Sequence, residues 1–553
     1  MIRWYVLALV ALQAGCAQPV APSGGPVDKT PPDLIAMYPP SNSVDFDGDM
    51  IRFEFSERVD KASFDKALRI VPELSNTPKL HWKGRELEMR FQDPLSEATT
   101  YVFTIDNSLR DERGVSIREP IVRAISTGPV IDSGVISGRL LGARSGKPVP
   151  NIDVIAIRTD TSGSGTPPIE YRTQTGSDGV FRLKFLPQAP FALSAFEDRN
   201  RSRSHDDGEQ FAVAPHRNFL PASEDSLDHP LDWWVVNPDT TRPVLTEARA
   251  RSSRRIELRY SEPVHLDSLA PQAWMLQDTA SGAAAVVQGV YLNPKDRRRL
   301  VLMTDSLASS TYRIEAFATV RDTSENTAVD LSHSFEVSAV ADTMRLRLIG
   351  FDPQTAKEVR QIPLTGRQDP GLQFNQYVAP DRLRGALTVG DTLGVARDFL
   401  LDSPDGTLWR LHLSPAIQPG ETVRISVDGA LFGVDSTLTA EFRRLSLEET
   451  GSLAGRVEAE SDVVVEIYAE RGKDARPVAV SRTSGDYSIG DLAVGNYKLR
   501  MFGDGDGDGV WDWGQIDPYV QPEVMKWYPD SARVRAGWET VLDTLRLGPV
   551  PEE

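Results

Sequence analysis

Asp504, Asp506, Asp508 and Asp512 stand in one short polar stretch, Asp504-Gly-Asp506-Gly-Asp508-Gly509-Val-Trp-Asp512. Counted from Asp504, carboxylates take positions 1, 3, 5 and 9, and glycine takes position 6. Alternate residues of a tight loop turn their oxygens inward, and glycine adopts a backbone conformation that other residues resist. Such convergence suits a hard cation, since calcium gathers ~6–8 oxygen ligands. The expected ligand set is Asp504, Asp506, Asp508, the carbonyl of Val510, and Asp512, with calcium as the cofactor.

Position 12 of this loop is Gln515, where an EF-hand carries a bidentate Glu. No helical pattern flanks it. The loop therefore resembles the non-EF-hand loops of extracellular calcium modules. A weaker second candidate lies 306 positions earlier, at Asp198-Arg-Asn200-Arg-Ser202-Arg-Ser204-His-Asp206, with Glu209 at position 12. Asp198, Asn200, Ser202, Asp206 and Glu209 supply oxygens there. Position 6 is Arg203, and three arginines add positive charge, so binding is expected to be weaker.

Other chemistry has less support. The seven histidines are scattered, with no His-x-x-x-His or Cys-x-x-Cys pair for zinc. There is no Gly-x-Ser-x-Gly elbow and no phosphate-binding Walker loop. The glycines between 503 and 509 alternate with Asp, which repels phosphate. A formal charge of −18 disfavours nucleic acid as a partner. The basic clusters Arg251–Arg255 and Lys295–Arg299 are short and suit hairpin ends. Aromatic residues gather near both loops: Trp233 and Trp234 after the first, and Trp511, Trp513, Tyr519, Trp527, Tyr528 and Trp538 around the second. They can complete small cores, or form an exposed platform for sugars.

The elements that position these loops are legible as repeats. Gly179, Phe181, Leu186, Phe191, Leu193, Phe196 and Asp198 return as Gly485, Tyr487, Leu492, Tyr497, Leu499, Phe502 and Asp504, each pair 306 positions apart. Ahead of them lie Gly134-Val-Ile-Ser-Gly138 and Gly451-Ser-Leu-Ala-Gly455. The alternation is that of half-buried strands. This pattern resembles transthyretin-like modules, known as carboxypeptidase-regulatory-like and collagen-adhesin B-type domains. The resemblance implies small β-sandwiches without catalytic residues.

A second repeat opens Asp28-Lys-Thr30-Pro-Pro32 and returns from Asp239. Ile51-Arg-Phe53-Glu-Phe55-Ser56-Glu57 matches Ile256-Glu-Leu258-Arg-Tyr260-Ser261-Glu262. Thr100-Tyr101-Val-Phe103 with Asp111 matches Thr311-Tyr312-Arg-Ile314 with Asp322. A fainter third copy runs through Leu372-Gln-Phe374 and Glu421-Thr-Val423. These segments resemble the bacterial Ig-like domains of S-layer proteins, a family known for architecture.

Residues 1–15 begin with one basic residue, Arg3, followed by a short apolar run. The run falls short of the ~20 residues that span a bilayer, and reads as a secretory signal. Cys16 is the sole cysteine and follows Ala14-Gly15. This resembles the lipobox of bacterial lipoproteins, with Gln13 where the family prefers Leu. The resemblance implies an acylated Cys16 as the mature N-terminus, and so the membrane as a partner through an N-terminal lipid. Ala17 in place of Asp implies the outer membrane. The opening also resembles lipoproteins of Bacteroidetes-like bacteria that carry these Ig-like domains.

The expected fold class is all-β, with tandem Ig-like and transthyretin-like sandwiches. The expected order is signal 1–15, linker 16–30, Ig-like 31–130, transthyretin-like 131–234, Ig-like 235–340, divergent Ig-like 341–449 and transthyretin-like 450–548. The expected function is a non-catalytic, lipid-anchored envelope scaffold stiffened by calcium, its partner an envelope protein or a polysaccharide. Two other readings stay open. An accessory carbohydrate-binding lipoprotein would expose Trp511, Trp527 and Trp538 as a row, and a hydrolase would need a deep pocket lined by two acids.

Overall fold

The computed structural model describes residues 29–160, 169–200, 202, 204–215, 217–223, 231–329, 332–338, 340–353, 361–470 and 477–548. The proposed signal and Cys16 lie outside the described residues, as do 201 and 203 of the earlier loop. The described chain is all-β, a succession of sandwiches with two short α-helices. Among the described residues no helix is long and apolar enough to cross a membrane. The chain gathers into two compact units. The first reaches Arg139 and includes Pro148–Leu193 and Asn218–Leu231; the second comprises Leu140–Lys147, Ser194–Arg217 and the chain from Asp232 onward.

In the first unit, strands Leu34–Tyr38, Met50–Phe55, Glu86–Arg90 and Lys79–Lys83 form one sheet in that order, facing a sheet of Leu68–Val71, Thr100–Ile105 and Ile121–Ser126. Strand periodicity decides what is buried. Ile51, Phe53 and Phe55 are fully buried while Arg52 between them is exposed. Asp60 caps the helix Lys61–Ala67 by accepting the Ala62 N–H at 3.2 Å. That helix lays Phe64 against Phe55 and Trp82, with ring centroids 6.0 and 5.2 Å away. In the transthyretin-like part of this unit, Val180–Leu186 pairs with Gly134–Gly142, and Glu170–Gln174 pairs with Asp153–Arg158.

The second unit holds two further Ig-like sandwiches. One has sheets 245–252, 255–260, 299–304, 287–292 and 284–285, 274–278, 310–316, 332–337. The next has sheets 348–352, 371–374, 408–414, 398–402 and 362–364, 438–444, 422–427, 387–391. Faint in sequence, this copy still carries a helix, Pro380–Ala386, ahead of its strand Leu387–Asp391, as the first copy does. The two basic clusters fall at hairpin ends, between paired strands. Arg255 reaches out of its turn to Asp342 at 2.7 Å and Gln376 at 3.0 Å, fixing a joint between consecutive sandwiches.

The Ig-like landmarks are spent on the backbone. Ser56 Oγ accepts the Asp33 N–H at 2.9 Å, and Ser261 Oγ accepts the Val244 N–H at 3.0 Å. Asp111 accepts the amides of Arg113 and Val115, and Asp322 those of Ser324 and Asn326. The left-handed residue of that turn is Gly114, φ 91°, in one copy and Glu325, φ 67°, in the other.

The transthyretin-like copies agree in detail. Leu183 pairs Ile136 and Leu186 pairs Gly134, with a register shift between; Ile489 pairs Leu453 and Leu492 pairs Gly451 likewise. The bulge places Phe185, φ 61°, and Asp491, φ 56°, in the left-handed region at equivalent positions.

Candidate metal centre

Strand Gly495–Gly503 pairs with the buried strand Val463–Ala469 and delivers the acidic loop at its end. The Asp504 N–H donates to the Asp462 carbonyl at 2.8 Å, which anchors the first position. The Asp504 side chain is 5% exposed and accepts the Gly509 N–H at 3.2 Å. Asp506 accepts the Asp508 N–H at 3.1 Å, and Asp508 the Val510 N–H at 2.6 Å. Gly507 and Gly509 turn the loop with φ of 82° and 80°. The Arg482 guanidinium stands 3.6 Å from Asp504, a counter-charge at the rim.

The residue that closes the loop is Glu523, which sequence reasoning missed. Its two carboxylate oxygens accept the Gly505 N–H at 2.7 Å and the Asp512 N–H at 3.1 Å. Its carbonyl accepts the Trp511 indole N–H at 2.9 Å. Carboxylate oxygens, one each from Asp504, Asp506 and Glu523, lie within 4.8 Å of one another, an arrangement that could hold a metal ion. Asp508 and Asp512 are not in this trio; the Asp508 carboxylate accepts the Val510 N–H, and Asp512 meets Glu523 through its backbone N–H. Two carboxyls of the loop are shifted. The Asp512 carboxyl is raised above the ordinary range, first by burial and then by Asp506, Asp508 and Asp504. Glu523 is raised by burial, against the lowering effect of its two amide donors.

The earlier loop has the same frame and a different filling. Glu209 accepts the Arg199 N–H at 2.9 Å and the Asp206 N–H at 3.1 Å, the amides that correspond to Gly505 and Asp512. Inside, hydrogen-bond donors replace carboxylates. The Asn200 amide and the Ser202 hydroxyl both donate to Asp206 at 2.8 Å, holding that carboxyl below its ordinary range. Ser202 N–H in turn donates to Asn200 at 2.9 Å. Asp198 stands at the foot of this loop as Asp504 does in its own. The first loop is thus closed by neutral donors, and the second gathers negative charge.

Counting forward from the strand before the loop puts Gln515 opposite Glu209. Counting back from the strand after it puts Glu523 and Glu209 together, each two positions before Met525 and Phe211. An insertion between Asp512 and Glu523 hid the match.

Among the described residues there is a second close acidic trio, Asp239, Glu262 and Asp322. All three belong to the Ig-like landmarks, so their positions in the repeat were the available signal. Burial, Asp239 and Asp322 raise the Glu262 carboxyl. Asp322 is already satisfied by its turn amides and by the Asn326 side chain at 2.8 Å.

The aromatic cluster divides. Trp233 and Trp511 are buried. Trp538, by contrast, is 69% exposed. Trp527 donates to the Ala143 carbonyl at 3.2 Å, Trp234 to the Met525 carbonyl at 2.8 Å, and Tyr519 to the Ala214 carbonyl at 3.0 Å. Trp511, Trp527 and Trp538 therefore do not form an exposed row.

The raised carboxyls carry a pH expectation. A carboxyl raised in the folded state favours its protonated form there, so its stabilising contribution is complete below the unfolded value and is lost as pH rises through the folded one. In chelator, melting of the C-terminal repeat is expected to move to higher temperature as pH falls from neutrality toward the carboxylate range, where the raised carboxyls take up protons. With calcium present the trend should reverse, because protons compete for the ligands. Parallel trends in the two series would remove the loop as the cause.

Residues 28–126 match the bacterial Ig-like domain family. No curated protein matches the chain. Among solved structures, the N-terminal part of the bacterial S-layer protein SbsC is similar over 37% of this chain at 12% identity and a TM-score of 0.17. The match spans 44% of that structure, less than half its length. The major pilin subunit BcpA of Bacillus cereus is similar over 75% of this chain and 99% of its own, at 10% identity and a TM-score of 0.17. An L,D-transpeptidase from Mycobacterium smegmatis covers 27% of this chain and 78% of its own, at 14% identity and a TM-score of 0.14.

Proposed function

We propose that this protein is a non-catalytic scaffold of the bacterial envelope, lipid-anchored through Cys16, with calcium stiffening its C-terminal repeat. The observation that carries the reading is where the repeated polar residues are used. Ser56, Ser261, Asp111, Asp322, Glu209 and Glu523 all accept backbone amides, so their chemistry goes into holding sandwiches and loops. Asp504, Asp506 and Glu523 form the cation site, with Asp508, Asp512 and the Val510 carbonyl as supporting oxygens. Calcium acts there as a structural ion that offsets mutual repulsion. The earlier loop, from Asp198 to Glu209, holds its shape through Asn200 and Ser202 and binds the ion weakly. The anchor places the modules on the outer membrane, where they space or bind an envelope protein or a polysaccharide.

The anchor is tested by expressing the full chain and its Cys16→Ser variant in a Gram-negative host and analysing the N-terminus by mass spectrometry. The expected result is a mature protein beginning at an acylated Cys16 in the membrane fraction. Cys16→Ser should be unprocessed or released. An unmodified cysteine, or cleavage elsewhere, overturns the anchor.

A further inference from the structure

We propose that the cation pins an intrachain clasp, fastening the C-terminal transthyretin-like repeat to the earlier one. The inference rests on the calcium reading above and adds a consequence to it. Among the described residues, three hydrogen bonds to the earlier repeat involve one segment, Tyr519 to Trp527. Tyr519 donates to Ala214, Met525 accepts from Trp234, and Trp527 donates to Ala143. The Trp527 indole also lies against Gly146, where the missing side chain leaves it room: a Cβ there would stand 3.2 Å from the ring. On its other side Trp527 packs on Tyr468, with centroids 5.5 Å apart. The residues of the earlier repeat that take part all lie in the same compact unit as the loop.

Glu523 sits in the middle of that segment and ties it to the acidic turn through Gly505 and Asp512. It is also the member of the acidic trio that the segment supplies. The insertion absent from the earlier loop, between Asp512 and Glu523, carries Tyr519. One carboxylate therefore belongs both to the ion site and to the docking segment. With the ion bound, Glu523 is drawn toward Asp504 and Asp506 and the segment is held in its docking conformation. With the ion removed, like charges push Glu523 away and the segment loosens. Linkage makes the effect mutual: an undocked segment binds the ion more weakly by the same factor.

The test uses the full chain with calcium chloride or with chelator. Equilibrium dialysis with radiolabelled calcium reads binding. Hydrogen exchange by mass spectrometry reads the amides of residues 140–147 and 211–215, which belong to the other repeat. Calcium is expected to slow exchange there by roughly tenfold. The double variant Tyr519→Phe, Trp527→Phe keeps an aromatic ring at both positions, the second one smaller, and removes both donors. It should bind calcium more weakly and lose that slowing, and Tyr519→Phe alone, which keeps the whole ring, should lose part of it. Binding with no change at 140–147 and 211–215 overturns the clasp while leaving the metal reading intact. Absence of binding overturns the metal reading and the clasp with it. Slowing that survives in the double variant also overturns the clasp.

Discussion

Ten millimolar calcium is expected to raise the melting transition of the C-terminal repeat by roughly 6–20 °C. The estimate follows from mass action. Extracellular calcium modules bind at ~0.1–1 mM, so this concentration is about a 10- to 100-fold excess. Binding only the folded state then contributes about 1.4–2.7 kcal/mol. A domain of ~100 residues gains ~4–8 °C for each kcal/mol. The metal-free loop has reason to respond, since burial and three neighbouring carboxylates already raise the Asp512 carboxyl. Asp506→Ala with Asp508→Ala should abolish most of the shift. Glu523→Gln should do the same at smaller electrostatic cost, because an amide oxygen still accepts one amide. Scanning calorimetry of the full chain with calcium and with chelator reads the effect. Coincident transitions for all proteins in both conditions would mean the loop is an acidic turn and nothing more.

Gly451→Val should destabilise the same repeat by about 3 kcal/mol or more. A Cβ at Gly451 would stand 2.7 Å from the Val534 side chain and would overlap the Arg535 carbonyl. Those atoms belong to the backbone and to a buried residue, so they cannot move aside cheaply. Gly134 meets the same difficulty in the earlier repeat, where a Cβ would lie 2.5 Å from the Leu186 carbonyl. Gly485→Ala is the control: nothing lies within 4 Å of its Cβ position. Its φ is not positive either. It should be neutral or gain about 0.4–1 kcal/mol through the unfolded chain. Urea unfolding followed by tryptophan fluorescence measures both. Equal midpoints for Gly451→Val and the parent would refute the packing argument.

Much of the fold was readable because strands advertise themselves by alternation. The 306-residue register of the transthyretin-like repeats reappears as matched pairing and a matched bulge at Phe185 and Asp491. The two short helices were not readable. Lys61–Ala67 is two turns long and buries only Ser63, Phe64 and Ala67, too few for a helical period to emerge. The third Ig-like copy was faint because its packing tolerates other apolar residues, while its two sheets persist. At the candidate site, Asp504 and Asp506 were visible from spacing, but Glu523 was hidden by an insertion that breaks the register. The donors of the bonds between the two repeats, Trp234, Tyr519 and Trp527, stood out as an aromatic cluster, but the pairing itself was not readable, since the acceptors are main-chain carbonyls of Ala143, Ala214 and Met525. A carbonyl is common to every residue type and carries no sequence signature.

Those same three bonds change how a pull would travel along the chain. Tension that enters through the earlier transthyretin-like repeat and leaves through the C-terminal one meets the bonds of Tyr519, Trp234 and Trp527 first. The covalent route between the repeats runs through residues 236–449 and both Ig-like sandwiches within them. While the bonds hold, load applied at the bonded residues has a path that bypasses that route. Once they part, the load passes to that covalent route, and three side-chain hydrogen bonds have been given up before any strand pairing within a sandwich.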